Sequence, residues 1–172
     1  MFLYPTGASA PQAPEPRPRA IAPGEGILGP RSGGRAPEIE IKLGADDGFG
    51  FSVVEQRIPA GFSPPPVMHR QTRESVAVYV LEGELRYWFA DGEVAAGPGT
   101  LVRLPRLGWW RWANESDAPC RALAVFAPAG FEQYFIELGA AAAAAQGDPQ
   151  TLARDMSRLR ARYGDEEADG DV

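Results

Sequence analysis

Only one side chain in this 172-residue chain ordinarily exchanges a proton near neutral pH: His69 is the sole histidine. A single imidazole can serve as a general acid or base, but it rules out any reaction that needs two or three imidazoles in one subunit. Glu74 lies close enough in sequence to orient His69 or to act as a partner acid, and a solvated hairpin glutamate is the plainer alternative. Tyr87, and Asn114 with it, could hydrogen-bond a developing enolate or carbonyl oxygen. The single cysteine, Cys120, excludes an internal disulfide and a zinc site built from several thiolates, and it reads as a small buried hydrophobe. Gly24 to Gly29 formally matches G-x-G-x-x-G. Pro23 before it and Pro30 after it deny the strand and helix that a dinucleotide site needs, so these glycines read as loop.

The elements that must position these groups are mostly strands. Gly and Pro supply 20 and 17 residues, which favours strands joined by turns over a helical chain. Ile39, Ile41 and Leu43 alternate with charged residues, as do Phe49, Phe51 and Val53 with their neighbours, and Asp46-Asp47-Gly48 supplies a turn between the two runs. Further strands are predicted at 76–81, 85–89, 101–104, 109–112 and 122–126, with Asp91-Gly92 as a hairpin turn. Alternation places Val67, His69, Val76, Val78 and Trp110 on inward faces, with Trp112 and Asn114 sharing the parity of Trp110. Trp109 and Arg111 have the parity of an outward face and could form a dimer patch.

After Pro128 the period changes. Phe131, Tyr134, Phe135 and Leu138 follow helical spacing, and Asp148-Pro149 is an N-cap followed by Pro at the first helical position of a second helix that runs to about Tyr163. Residues 1–36 read as a flexible Pro/Gly-rich arm, 37–128 as the strand domain, 129–164 as the helices and 165–172 as a disordered acidic tail.

Two segments then resemble the paired motifs of the cupins. The second motif, G-x5-P-x-G-x2-H-x3-N, is met by Gly99, Pro105 and Asn114, with Leu107 at the glycine and Trp110 at the histidine. The first, G-x5-H-x-H-x3–4-E-x6-G, is met by Gly61, His69 and Gly83, with Val67 at the first histidine. Counting from Gly83 puts Val76 at its glutamate and counting from His69 puts Glu74 there, and both assignments stay open. Ser63–Pro66, Tyr79–Glu84, Ala96–Gly99 and Pro128–Glu132 are similar to bacterial single-domain cupins of the quercetin dioxygenase-like group. The resemblance implies an all-β, antiparallel, jelly-roll-like cupin barrel with two C-terminal α-helices. It also implies a divalent metal held by three His and one Glu. Here at most two of those ligands survive, whereas three protein donors are the usual minimum for a catalytic site.

Val and Trp in place of ligands turn a charged site into a drier, apolar one. Val67, Val76, Val78, Trp110, Trp112 and Asn114 are therefore the candidate ligand-binding wall, with His69, Glu74 and Tyr87 as candidate catalytic groups and no cofactor expected. The favoured reading is metal-independent cyclisation, isomerisation or dehydration of a hydrophobic secondary-metabolite intermediate. A non-catalytic ligand-binding cupin and a metal-dependent dioxygenase of the quercetinase type are the alternatives, and side chains that simply fill the barrel are the plainest reading of the same residues. A net charge of −6 argues against nucleic acid or anionic membrane as partner, and the arginines at 154, 158, 160 and 162 read as a solvated helix face. With no signal sequence or apolar span legible, a cytoplasmic homodimer is expected.

Overall fold

In the computed structural model the described residues are 18–29 and 36–168. Among them, two antiparallel sheets face each other. The first has six strands in the order β1 (Ile27–Leu28), β2 (Glu38–Leu43), β3 (Ser52–Ile58), β10 (Cys120–Ala127), β5 (Ser75–Glu82) and β8 (Leu101–Leu104). The second has five: β11 (Asp165–Glu167), β4 (His69–Gln71), β9 (Trp110–Ala113), β6 (Leu85–Phe89) and β7 (Gly92–Ala96). Side-chain alternation builds the core. Val76, Val78 and Val80 of β5, Val102 and Leu104 of β8, and Ala122, Ala124 and Phe126 of β10 are buried, while Tyr79 and Leu101 point outward. They meet Leu85, Tyr87, Ala96 and Trp110 from the second sheet in one cluster. Burying each Val or Leu side chain contributes about 1.5–3 kcal/mol. No helix among the described residues is long and apolar enough to cross a membrane.

The helices α1 (Glu132–Ala144) and α2 (Pro149–Tyr163) close the Phe126 end of this sandwich. Phe131 stacks on Phe126 with ring centroids 5.1 Å apart, and Tyr134 stacks on Phe131 at 5.0 Å. Glu132 is fully buried because both its oxygens are used: Oε1 accepts from the Ala45 amide at 2.8 Å and Oε2 from Gly130 at 2.7 Å. Asp148 caps α2 as its sequence predicts, accepting from the amides of Gln150 and Thr151.

Three expectations change. Phe49 and Phe51 precede β3 and are not part of it, since the strand begins at Ser52 and Phe49 is exposed. Of the proposed N-terminal arm, the described part includes β1, paired with β2; residues 1–17 and 30–35 lie outside the described residues. The tail beginning at 165 is not disordered at its start, because Asp165–Glu167 pair with β4 in the register Asp165↔Gln71 and Glu167↔His69. A glycine makes that turn possible. Gly164 has φ of 72°, and a Cβ there would lie 2.4 Å from Thr72 Oγ1. The Thr72 amide and hydroxyl both donate to the Gly164 carbonyl, at 2.8 and 2.9 Å, which fixes β11 beside β4. Residues 169–172 lie outside the described residues.

Candidate active site

The inner face of the second sheet carries a row of rings. His69 stands opposite Trp110, Phe89 opposite Trp110 on its other side, and Tyr87 opposite Trp112. The His69 and Trp110 ring centroids are 4.0 Å apart, and both residues are buried. Tyr87 lies 6.3 Å from Trp110 and stacks on Phe89. Trp112 is half-buried against Phe62, and Val67 is half-buried just before β4. Val76 and Val78 are buried on the inner face of the opposing sheet.

Burial pushes the His69 imidazole below its ordinary pKa; Asp165 and the Val67 backbone oppose this, and Arg160 adds to it. The ring is therefore neutral at physiological pH, as a base must be. Burial raises the Tyr87 phenol far above its ordinary range, so Tyr87 is a proton-bearing donor and not a base. Burial also raises the Glu74 carboxyl; its own backbone and Arg73 oppose this, and Glu132 and Asp165 add to it. The two groups are thus shifted in opposite directions, the imidazole down and the carboxyl up.

The two counts for the motif glutamate separate in space. Val76 is a core residue of β5, opposite Leu104 and Phe126. Glu74 sits just before that strand, 4% exposed, with Oε2 lacking any hydrogen-bond partner. Asn114 needs correction. Its Nδ2 donates to the carbonyls of Pro59 and Ala118 at 2.9 Å, and its Oδ1 accepts from the Ser116 amide and hydroxyl. It is a fully engaged loop anchor with no polar atom left for a ligand. Cys120 is buried and its thiol is pushed up to about 11, which makes it an inert core group.

Gln71 and Asp165 have no place in the motif reading, yet they belong here. Gln71 shares the inward face of β4 with His69, and Asp165 stands directly across from Gln71. One signal was available in the sequence: Gln71 is two residues beyond His69 and so has its parity. Asp165 had none, because no apolar alternation marks β11.

The metal that the resemblance implies does not fit these residues. An indole stands against His69 where a ligand would be, and Val67 has no donor atom. Among the described residues, no three His, Cys, Asp or Glu side chains come together in a way that could hold an ion.

Leu107 records the older motif in its backbone. It occupies the motif's glycine position with φ of 69°, a left-handed conformation that costs a leucine about 1–2 kcal/mol. Its amide donates to the Gln71 carbonyl at 2.8 Å, so this turn holds the end of β4.

Comparison with known proteins gives a consistent architecture. Residues 54–126 match the sequence model of the family described as "Cupin domain". No curated protein matches the chain in sequence. Among solved structures, KdgF from Halomonas sp. superposes with a TM-score of 0.56 at 13% identity, over 68% of this chain and 99% of that one. The polyketide cyclase RemF from Streptomyces resistomycificus superposes with a TM-score of 0.54 at 19% identity, over 64% of this chain and 80% of that one. A sugar phosphate isomerase from Silicibacter pomeroyi, 25% identical, gives a TM-score of 0.45 over 54% of this chain, which spans 59% of that protein's length. For the first two the likeness, at 13% and 19% identity, is one of fold alone.

Proposed function

We propose that this chain, whose residues 54–126 match the cupin domain model, binds a hydrophobic, ring-bearing small molecule between its sheets and transfers protons on it without a resident metal. Cyclisation, isomerisation and dehydration all fit, since each can begin by removing a proton beside a carbonyl. His69 takes that proton, Tyr87 donates a hydrogen bond to the developing oxygen, and Glu74 returns a proton. Val67, Val76, Val78, Trp110 and Trp112 form the wall that folds and shields the substrate. The segments quoted above resemble the quercetin dioxygenase-like group, and that resemblance supports reading Val67 and Trp110 as standing at two of its metal-ligand positions. The observation that carries this reading is a buried imidazole whose pKa is pushed down, with its ring centroid 4.0 Å from that of an indole, in a core that also buries a carboxyl whose pKa is pushed up.

The test needs no knowledge of the natural substrate. 2-Tetralone is a ring ketone with exchangeable C–H bonds beside its carbonyl. In deuterium oxide at neutral pH, the protein is expected to accelerate deuterium uptake into 2-tetralone, and His69→Ala is expected to lower that rate about 10²–10⁴-fold. Equal rates with the wild-type and variant proteins would remove His69 as the base. Binding of 2-tetralone with no exchange at all would favour a ligand-binding protein over an enzyme.

A further inference from the structure

Around the end of β4, three buried oxygens lack a hydrogen-bond partner: Gln71 Oε1, Glu74 Oε2 and, across from Gln71, Asp165 Oδ1. Their residues are 4%, 4% and 8% exposed. Among the described residues, six buried side-chain polar atoms are unpartnered, and half of them are these oxygens. Two of the others are guanidinium nitrogens, Arg86 Nε and Arg121 Nε, whose groups lie in ion pairs with carboxylates. Buried acceptors are nearly always satisfied, so three in one neighbourhood call for a donor. The neighbourhood is well defined. Gln71 and Asp165 are direct cross-strand partners, Gln71 and His69 share one face of β4, and Asp165 acts electrostatically on both His69 and Glu74.

Resting on the reading above, we infer that Gln71, Glu74 and Asp165 form an acceptor subsite that takes the hydroxyl-bearing end of an aromatic substrate, while the ring row of the second sheet holds its apolar body. The donor is a neutral hydroxyl and not an ammonium group. Asp165 is already neutralised by Arg160, whose Nε lies 2.8 Å from Oδ2, and a second cation would meet that guanidinium. A metal ion is disfavoured because no three ligating side chains converge. Hydroxyls need only acceptors at hydrogen-bond distance, and Asp165 offers its remaining oxygen for that purpose.

The experiment compares ligands that share a ring system and differ in donors. Quenching of tryptophan fluorescence is followed with 1,3-dihydroxynaphthalene, 1,3-dimethoxynaphthalene and 2-(aminomethyl)naphthalene. The diol is expected to bind about tenfold tighter than its dimethyl ether, the scale of one or two hydrogen bonds made in a buried site. Gln71→Met removes an acceptor at constant volume and is expected to bring that ratio close to one. Equal binding of diol and ether by the wild-type protein would overturn the subsite and leave the apolar wall standing. A ratio that persists undiminished in folded Gln71→Met would trace it to the bulk of the ether and would also overturn it. Tighter binding of the amine would overturn the choice of hydroxyl. Failure of all three to bind would remove the aromatic wall itself and this subsite with it.

Discussion

The two faces of the second sheet are built from the same strands and solve opposite problems. On the outer face, the polar and charged groups meet partners. Arg70 pairs with Glu166 at 2.7 Å and lies over the Trp109 ring, Arg111 stacks on Trp88 at 3.6 Å, and Arg86 pairs with Glu93 and Glu115. On the inner face, one residue along each strand, His69 packs against an indole while Gln71 and Asp165 carry oxygens that meet no donor. Solvent could have satisfied the outer groups had they lacked partners, yet they have them. The inner groups have no such recourse, and a buried acceptor without a donor costs about 1–3 kcal/mol. Polar chemistry kept on the buried face at that cost is what supports placing the proposed ligand there.

The contrast can be broken most decisively by activity. His69→Ala should lower deuterium exchange into 2-tetralone about 10²–10⁴-fold, while Arg111→Ala, one residue past the ring that His69 touches, should leave it within about twofold. If the outer variant were as damaging as the inner one, the distinction between faces would fail. Stability should follow the same line. Trp110→Ala empties buried volume and is expected to cost about 3–5 kcal/mol in chemical denaturation, whereas Trp88→Ala removes a half-buried ring and is expected to cost less than half as much.

Gly164→Ala comes next in size. It forces a side chain into a left-handed turn and against Thr72, with an expected cost of about 1–3 kcal/mol and earlier hydrogen exchange of the β11 amides. The pH profile sharpens the picture further. His69 titrates below its ordinary value of 6.5 in the folded chain, so exchange should hold as pH falls through 6.5 and decline only at lower pH. Stability carries the same sign: below 6.5 the unfolded chain takes the proton first, and His69's contribution is lost as pH falls towards its folded value. An acid limb centred at or above 6.5 would contradict a desolvated imidazole. The smallest effect belongs to the outer face. Glu166→Ala removes an exposed ion pair and should cost less than about 1 kcal/mol, measured in the same denaturation series.

Much of the architecture is legible in residue patterns because burial imposes them. Val76, Val78 and Val80 alternate because one face of β5 is core, and Asp148-Pro149 begins a helix because that pair satisfies and pre-sets the first turn. The strands that escape a pattern are those that bury little. Asp165-Glu166-Glu167 is all acidic, and it is a strand only because Gly164 turns it alongside β4 and the backbone supplies the pairing. Phe49 and Phe51 fail in the opposite sense, with alternation present and no partner strand beside them. The site divides in the same way. His69 and Trp110 are visible from motif spacing, whereas Asp165 arrives by pairing with Gln71, far away in sequence, and no local rule reports it. Asn114 keeps the motif's residue type and spends it on holding a loop.

Because Asp165 enters the interior on a three-residue strand that follows the last helix, the recognition end of the site depends on the chain's final turn. A protease that nicked the chain just after Gly164 would leave the first sheet and both helices whole and take only the edge strand β11 from the second. It would delete one of the three acceptors and release Arg160 from Asp165, so under the proposed subsite the trimmed protein is expected to discriminate less between a phenol and its ether.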